Sequence, residues 1–385
     1  MIIPAQRVNS INEYYFSHKL REIASRNASG EDIINLGIGN PDLLPSDSTI
    51  ETLQVEILKS DAHGYQPYKG IDELRNAFSG WYKSKFKVDL NPETEILPLI
   101  GSKEGILHIS MAFLNPGDTV LIPDPGYPTY KAVSEMIGAN PLLYKLEKEL
   151  NWLPDLDELK NRDLTGVKLM WVNYPNMPTG AQINKEGFEK LINFARSHNI
   201  VICNDNPYSF ILNENPLSIL SIPGAKEIAI ELNSLSKSHN MAGWRIGMLA
   251  SNPQFIQYIL KVKSNMDSGI FKPLQKAAVN ALINADSWYK NLNHTYAERQ
   301  KIGFEILDIL KCTYQENQVG MFVWAKIPQT ETGSELFAEH ILNKAKVFIT
   351  PGFIFGSQGE HYIRISLSNS REKLLLAKSR ILSNI

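Results

Sequence analysis

The sequence is poor in cysteine, with only Cys203 and Cys312 among 385 residues. Neither belongs to a CxxC pair, and two thiols cannot form a disulfide framework, so we expect a reducing compartment, the cytoplasm. The formal net charge of -2 provides no basic excess, and no nucleic-acid partner is expected. The chain start does not resemble a secretory signal, and no run reaches the roughly 18 apolar residues of a membrane span. We therefore expect no membrane association.

The composition that remains is ordinary for a globular protein, with 43% hydrophobic and 21% charged residues. The length suits one large domain and a smaller one, without internal repeats or low-complexity linkers. An enzyme is the expectation, and a binding protein of this size is the plain alternative.

Short apolar runs alternate with helical patterns through the middle of the chain, which indicates an α/β fold with a mainly parallel sheet. The predicted strands are Thr119–Ile122, Val167–Val172, Ile200–Cys203 and Ile228–Leu232. From about residue 280 strands and helices mix, which favours a smaller α+β domain. Ligands of parallel sheets bind at the carboxyl ends of the strands. Polar segments follow three of the strands there, at Asn173–Gly180, Asn204–Tyr208 and Ser234–Lys237.

Lys237 lies in Ser234-Leu235-Ser236-Lys237, eight residues before Arg245 in Gly243-Trp244-Arg245. A lone lysine is usually a solvated surface residue. An amine with a hydroxyl and a guanidinium at fixed offsets also suits a phosphorylated aldehyde. The lysine can form a Schiff base, while Ser234 and Arg245 hold the phosphate.

Asp205 and Tyr208 follow a predicted strand directly. A carboxylate there can cap a helix, bind a metal or pair with a ring nitrogen, and near Lys237 the ring nitrogen is preferred. A protonated pyridine is the better electron sink for a substrate carbanion. Tyr208 would donate to the ring's phenolic oxygen, or be a half-buried core tyrosine. We expect no metal.

Four further positions suit the same ligand or an amino-acid substrate beside it. Ser102 is predicted to cap a helix whose N-terminus suits an anion, and Lys103 either joins it there or is solvated. Tyr127, in a proline-rich turn, stacks on a pyridine face or simply packs. Arg364 alternates with apolar residues in a strand and requires an anion, either a structural carboxylate or the carboxylate of an amino-acid substrate.

Together these residues resemble the class I/II aminotransferases, pyridoxal-phosphate enzymes of fold type I. The resemblance runs from Leu36-Gly37-Ile38-Gly39-Asn40-Pro41-Asp42 to Arg364, and includes Tyr65-Gln66-Pro67-Tyr68-Lys69-Gly70 and Pro175-Asn176-Met177-Pro178-Thr179-Gly180. It implies a mainly parallel seven-stranded sheet in a large domain of residues 46–280. Residues 1–45 and 281–385 would form the smaller domain.

The resemblance also implies roles for individual residues. Lys237 would be the Schiff-base lysine and proton shuttle, Asp205 the pyridinium partner, Tyr208 the donor to the ring hydroxyl and Tyr127 the stacking ring. The residues implied to hold the phosphate or border it are Ser102, Lys103, Ser234, Ser236 and Arg245. Tyr65 would reach the phosphate of the neighbouring subunit, which implies a homodimer with shared active sites. Gly39 would let the backbone approach the substrate, Arg364 would bind its α-carboxylate, and Tyr14 would face it.

One position departs from the family pattern, which usually reads Asn-Pro-Thr-Gly with an asparagine that hydrogen-bonds the ring hydroxyl. Here Met177 precedes Pro178, and a thioether has no proton to donate. Either Asn176 turns in to replace that amide, which we favour, or Tyr208 acts with less help.

Gly101-Ser102-Lys103-Glu104-Gly105 and residues 265–271 are most similar to the LL-diaminopimelate aminotransferase branch. The expected activity is ping-pong transamination between an L-amino acid and a 2-oxo acid. The rival interpretations are a carbon-sulfur lyase with the same cofactor and, less favoured, a ligand-sensing regulator built on the same domain. The preferred amino acid does not follow from the sequence.

Overall fold

The computed structural model describes residues 2–5, 7–8 and 15–385. Within residues 15–385 the strands are β1 Ile34–Asn35, β2 Ile96–Leu99, β3 Thr119–Asp124, β4 Asn140–Lys145, β5 Val167–Val172, β6 Val201–Asp205, β7 Ala229–Ser234, β8 Gly247–Ala250, β9 Thr313–Tyr314, β10 Phe322–Lys326, β11 Val347–Phe348, β12 Thr350–Pro351 and β13 Tyr362–Ser366. The α-helices of the same residues are α1 Tyr15–Ala28, α2 Asp47–Glu56, α3 Asp72–Phe86, α4 Ser102–Phe113, α5 Pro128–Met136, α6 Leu156–Lys160, α7 Lys185–Ser197, α8 Leu235–Ser238, α9 Pro253–Lys263, α10 Lys272–Leu282, α11 Asp286–Ile309, α12 Ser334–Ala345 and α13 Arg371–Asn384.

Seven strands form the large sheet in the order β2-β8-β7-β6-β5-β3-β4. Strands β7, β6, β5, β3 and β4 are joined by parallel pairings, and β8 runs antiparallel to both of its neighbours. The predicted α/β fold with a mainly parallel seven-stranded sheet is confirmed.

Both faces of this sheet are buried, as the continuous apolar runs predict. In β5 the side chains of Met170 and Val172 join one hydrophobic cluster, while Leu169 and Trp171 join another. Helices therefore cover both faces, and the strand ends remain as the place where a ligand can reach the sheet.

The predicted strand β5 matches the structure residue for residue, whereas the next two strands extend further than their apolar runs. Asp205 is the last residue of β6 and Ser234 the last residue of β7. Their backbones pair within the sheet, Asp205 opposite Leu232 and Ser234 opposite Gly247. Polar residues end these strands because their side chains face the ligand end of the sheet rather than the core.

A smaller antiparallel sheet has the order β12-β13-β10-β9, and β1 pairs in parallel with β11. This pairing joins the N-terminal segment to the C-terminal part of the chain. Helix α10 packs on α2 and α3, so residues 272–282 stay with the large sheet. Both contacts support a large domain of residues 46–280 and a smaller domain of residues 1–45 and 281–385. This division stays a prediction.

The expected helix cap at Ser102 is wrong by one residue. Helix α4 begins with Ser102, its N-cap is Gly101 with φ +79°, and no side chain makes a capping hydrogen bond. The backbone conformation requires glycine at the cap because a φ of this sign is unfavourable for other residues.

None of the described helices combines the length and apolar composition that a membrane crossing requires.

Candidate active site

A cavity of about 390 Å³ opens at the carboxyl ends of β5, β6 and β7. It gathers most of the residues that the sequence singled out from distant parts of the chain. The predicted site residues that line it are Gly39, Ser102, Lys103, Tyr127, Asp205, Tyr208, Ser234, Ser236, Lys237, Arg245 and Arg364. The residues that the strand ends indicated therefore meet in one cavity at this edge of the sheet.

Lys237 extends into this cavity from the short helix α8, directly after β7. Its Nζ donates a hydrogen bond to the backbone oxygen of Gly39, 2.6 Å away. Burial, with smaller contributions from the charges of Arg364 and Arg245, lowers the pKa of Lys237 to about 8. The neutral amine, which is the nucleophilic form, is thus accessible near neutral pH.

Asp205 lies at the base of the cavity with its side chain buried. Its Oδ2 accepts a hydrogen bond from the Tyr130 hydroxyl at 2.9 Å, while its Oδ1 is buried without a hydrogen-bond partner. Burial raises the pKa of Asp205 to about 6, and the Tyr130 hydrogen bond opposes the rise. A buried carboxylate oxygen without a donor is costly, and a protonated ring nitrogen would supply that donor.

Glu231 on the neighbouring strand β7 provides a contrast. Its carboxylate is also fully buried, but it accepts hydrogen bonds from Tyr82, Asn204, Ser218 and the backbone N–H of Ile219. Glu231 therefore has a structural role between strands, and of the two carboxylates only Asp205 presents an unsatisfied oxygen to the cavity.

The cavity end next to α4 is rich in hydrogen-bond donors. The Ser234 hydroxyl accepts from the backbone N–H of Ser236 at 3.1 Å and donates to Ser236 Oγ at 2.8 Å. Arg245 has a left-handed backbone with φ +57°, and its Nη1 donates to the backbone oxygen of Ala242 at 2.9 Å. A Cβ on Gly101 would lie 2.0 Å from Arg245 Nη2. The guanidinium therefore packs directly on the start of α4, where helix N–H groups and a cation together suit a phosphate.

Arg364 lies in the middle of β13, and its guanidinium is buried in the cavity. Nη2 donates to the backbone oxygen of Gly37 at 2.8 Å, and Nη1 contacts the sulfur of Met177 at 3.2 Å. The guanidinium carbon lies 3.9 Å from the ring centroid of Phe322 and 4.7 Å from that of Phe355. The aromatic faces favour the cation and limit its access to water, which strengthens its attraction for a carboxylate.

The two predicted tyrosines and Gly39 also line the cavity. Tyr127 directly precedes α5, and burial raises the pKa of its hydroxyl, so it stays neutral. Tyr208 packs edge-on against Phe322 with the ring centroids 5.9 Å apart. A Cβ on Gly39 would lie 2.3 Å from the Phe322 ring, so only glycine permits this close approach.

Asn176 is not brought into the cavity. Its Oδ1 accepts hydrogen bonds from the backbone N–H and hydroxyl of Thr179, which hold the amide within the turn. Met177 and Asn173 line the cavity instead. The Nδ2 of Asn173 donates to the backbone oxygen of Asp205. Sequence position alone suggested Asn176, but the hydrogen bonds of the turn orient its side chain elsewhere.

Tyr65 does not line the cavity of its own chain. Tyr65 is 93% exposed, as a residue that contacts another subunit would be. Tyr14 lies outside the described residues.

Sequence reasoning missed Tyr130 and the apolar residues that face Arg364. Tyr130 stands three residues after Tyr127 on α5, so helical spacing could have indicated that it reaches the same cavity. Phe16, Leu20 and Phe355 come from elements far from the motifs, and no sequence signal placed them there.

Comparison with known proteins decides the family. The family model "Aminotransferase class I and II" matches residues 31–381. An LL-diaminopimelate aminotransferase of Natranaerobius thermophilus is 40% identical over 379 residues, which cover 98% of each chain. The substrate-bound BacF structure from Bacillus subtilis superposes with a TM-score of 0.94 at 34% identity, over 100% of this chain and 98% of that one. An aspartate aminotransferase mutant of Thermus thermophilus, at 24% identity and a TM-score of 0.92, shares the fold over 100% of both chains.

The chain belongs to the class I and II aminotransferases. It is a pyridoxal-phosphate-dependent aminotransferase of fold type I, as the sequence predicts. The residues present in the cavity fit this cofactor. The aminotransferase has a buried carboxylate oxygen that lacks a donor, a lysine with a lowered pKa, and a donor-rich helix start where glycine leaves room for an arginine.

Proposed function

We propose that this aminotransferase transfers an amino group between an L-amino acid and a 2-oxo acid. The predicted residues that line the cavity would bind the cofactor, transfer the proton and anchor the substrate. The observation that supports these roles most strongly is the combination of three groups in one cavity. These are the Lys237 amine, the donor-lacking oxygen of Asp205 and the guanidinium of Arg364. They match the three functions that transamination needs, which are a nucleophile, an electrostatic partner for the cofactor and an anchor for the substrate.

Pyridoxal phosphate supplies the electron sink that makes the α-carbon of an amino acid acidic. Asp205 Oδ1 would accept a hydrogen bond from the protonated ring nitrogen and stabilise the proton there. The phosphate would lie among Ser102, Lys103, Ser234, Ser236 and Arg245. Tyr127 would cover one ring face, and Tyr208 would donate to the phenolic oxygen.

Lys237 would carry both covalent attachment and proton transfer. Its pKa of about 8 leaves a useful fraction of the amine neutral near pH 7.5, so Nζ can accept the proton of the substrate's α-carbon and later return it. Gly39, whose backbone oxygen accepts the Lys237 hydrogen bond, would hold the free amine before the cofactor binds. Arg364 would bind the α-carboxylate through its two terminal nitrogens and orient the C–H bond.

We further propose a cytoplasmic homodimer in which Tyr65 of each subunit reaches the phosphate of the other. The exposed Tyr65 ring and two buried free cysteines, Cys203 and Cys312, support this proposal.

Arg364→Ala tests the assignment of the substrate anchor. The variant should raise the KM for amino and oxo acids by at least a hundredfold, because a charge-assisted bidentate contact is lost, while cofactor retention on gel filtration stays near that of the parent. Arg245→Ala is the matched comparison and should lose cofactor first. If Arg364→Ala loses cofactor as severely as it loses substrate, Arg364 has a structural role and this part of the proposal fails.

A further inference from the structure

A buried carboxylate at the end of β3 joins the large sheet to the segment that follows β12. Asp124 is the last residue of β3. Its Oδ2 accepts hydrogen bonds from the backbone N–H and the hydroxyl of Ser357, at 3.2 and 2.7 Å, and its Oδ1 accepts from the backbone N–H of Gln358 at 3.0 Å. Three donors of one short turn therefore converge on a side chain from a distant part of the sequence.

The residue two positions after Asp124 extends the same junction. The backbone N–H of Gly126 donates to the backbone oxygen of Phe355 at 2.8 Å. A Cβ on Gly356 would overlap Asp124 Oδ1, so the two segments approach as closely as their backbones allow. The turn after β3 and the Asp124 side chain thus hold residues 355–358 together.

Each side of this junction contributes a residue to the cavity. Tyr127 follows the turn after β3, and Phe355 comes from the segment that the turn holds; both line the cavity. The ring centroid of Phe355 lies 4.7 Å from the guanidinium carbon of Arg364. Asp124 is not one of the lining residues, so its influence on a ligand must pass through its neighbours.

Phe355 bears on ligand binding because its ring restricts the Arg364 guanidinium. A ring over a guanidinium favours the cation and excludes water from that face. It also limits the rotamers of a long side chain, so less conformational freedom is lost when a carboxylate binds. Gly37 and Phe322 restrict the same guanidinium, so loss of the Phe355 contact should weaken carboxylate binding without abolishing it.

We infer that Asp124 is a positioning residue for binding of the substrate carboxylate. It fixes residues 355–358 on the turn that precedes Tyr127, and so holds the Phe355 ring against the Arg364 guanidinium. This inference deepens the proposed function and rests on it, because Arg364 is there the residue that binds the carboxylate. It adds a residue that contacts neither substrate nor cofactor.

Titration calorimetry of propanoate into the cofactor-loaded enzyme measures carboxylate binding without turnover. Asp124→Ala should weaken propanoate by about three- to tenfold, while the Kd of pyridoxal phosphate from fluorescence titration stays near that of the parent. Asp118→Ala, directly before β3, is the matched control. Asp118 Oδ2 accepts from the backbone N–H of Asn115 at 2.7 Å, so this variant also loses a turn contact, but it should bind propanoate as the parent does.

A double-mutant cycle shows whether Asp124 acts through Phe355. Phe355→Ala alone should weaken propanoate by a factor similar to that of Asp124→Ala. The double variant should be no weaker than Phe355→Ala, because the ring that Asp124 positions is already absent. Factors that multiply, or propanoate binding in Asp124→Ala equal to that of the parent, would overturn the inference.

Two further variants keep the outcomes separate. If Asp124→Ala does not fold, Ser357→Ala replaces it. That variant removes one of the three hydrogen bonds and should weaken propanoate about twofold; unchanged binding would overturn the inference. Arg364→Ala should abolish propanoate binding. If it binds propanoate as the parent does, the proposed anchor fails, whereas a loss in Arg364→Ala without one in Asp124→Ala removes the inference alone.

Discussion

Burial changes the two titrating residues of the site in opposite directions. It raises the pKa of Asp205 to about 6 and lowers the pKa of Lys237 to about 8. Each group is moved toward its neutral form because the cavity penalises charge. For Lys237 this generates a nucleophile. For Asp205 it creates a carboxylate that gains most when a protonated ring nitrogen is placed beside it.

Asp205→Asn should stabilise the cofactor-free protein at alkaline pH. The folded-state pKa of about 6 lies above the ordinary value of 3.8, so ionisation of this carboxyl opposes folding. The contribution of the protonated carboxyl to folding stability is fully present below about pH 4 and is lost as the pH rises through 6. Urea unfolding should give Asp205→Asn an advantage of at most about 3 kcal/mol at pH 8, and none at pH 4. An advantage that does not change with pH would contradict the assigned pKa direction. The same variant should lose transamination.

Asn176→Ala should leave the cofactor's absorbance-against-pH profile unchanged, because the amide is held by Thr179 within the turn. Met177→Asn should instead move the transition to lower pH, since a new amide donor beside the ring would favour the form with more negative charge on the phenolic oxygen. Spectrophotometric titration of both loaded variants measures this. A shift in Asn176→Ala would show that its side chain does reach the ring.

The structure brings the predicted charged groups into one cavity and leaves the predicted amide outside it. Lys237, Asp205 and Arg245 meet there because the backbone sets their positions relative to the strand ends, and their roles stay predictions. Asn176 does not line the cavity, because one residue of register in a turn decides which side chain faces it. Its Oδ1 accepts from Thr179, while its Nδ2 is buried without a hydrogen-bond partner.

At the level of elements, strand boundaries and one helix start position the site. Apolar periodicity predicted β5 without error and ended β6 and β7 too early. The sequence could not show that polar residues at their ends still pair within the sheet. The apolar residues that face Arg364 were beyond sequence reasoning, because α1 and β10 meet only through tertiary packing.

Gly101→Ala should weaken pyridoxal phosphate binding strongly, by at least tenfold. Its Cβ would lie 2.0 Å from Arg245 Nη2 and would displace the guanidinium from the start of α4. Gly117→Ala is a matched control, with φ +92° and nothing within 4 Å of the new Cβ. Both variants place alanine at a positive φ, which costs roughly 1–3 kcal/mol, so fluorescence titration of cofactor should separate the effect of displacing Arg245 from that of backbone strain. Equal losses would mean that backbone strain, rather than displacement of Arg245, weakens the site.

At the level of the whole molecule, the proposed shared site makes a prediction about mixed subunits. Lys237→Ala and Tyr65→Ala homodimers should each have low activity. When they are co-refolded or co-expressed, a hybrid dimer would contain one site with both substitutions and one with neither. Activity should therefore recover toward half that of the parent in the hybrid fraction. Activity no greater than the sum of the two separate variants would contradict a Tyr65 contribution across subunits.

The central claim is that Lys237 is the lysine that holds and serves the cofactor. Borohydride reduction of the yellow, cofactor-loaded protein, followed by protease digestion and mass spectrometry, tests it most directly. The account predicts loss of the visible absorbance band and one phosphopyridoxyl group on the peptide that contains Lys237. A label on any other lysine, including Lys103 in the same cavity, would contradict it.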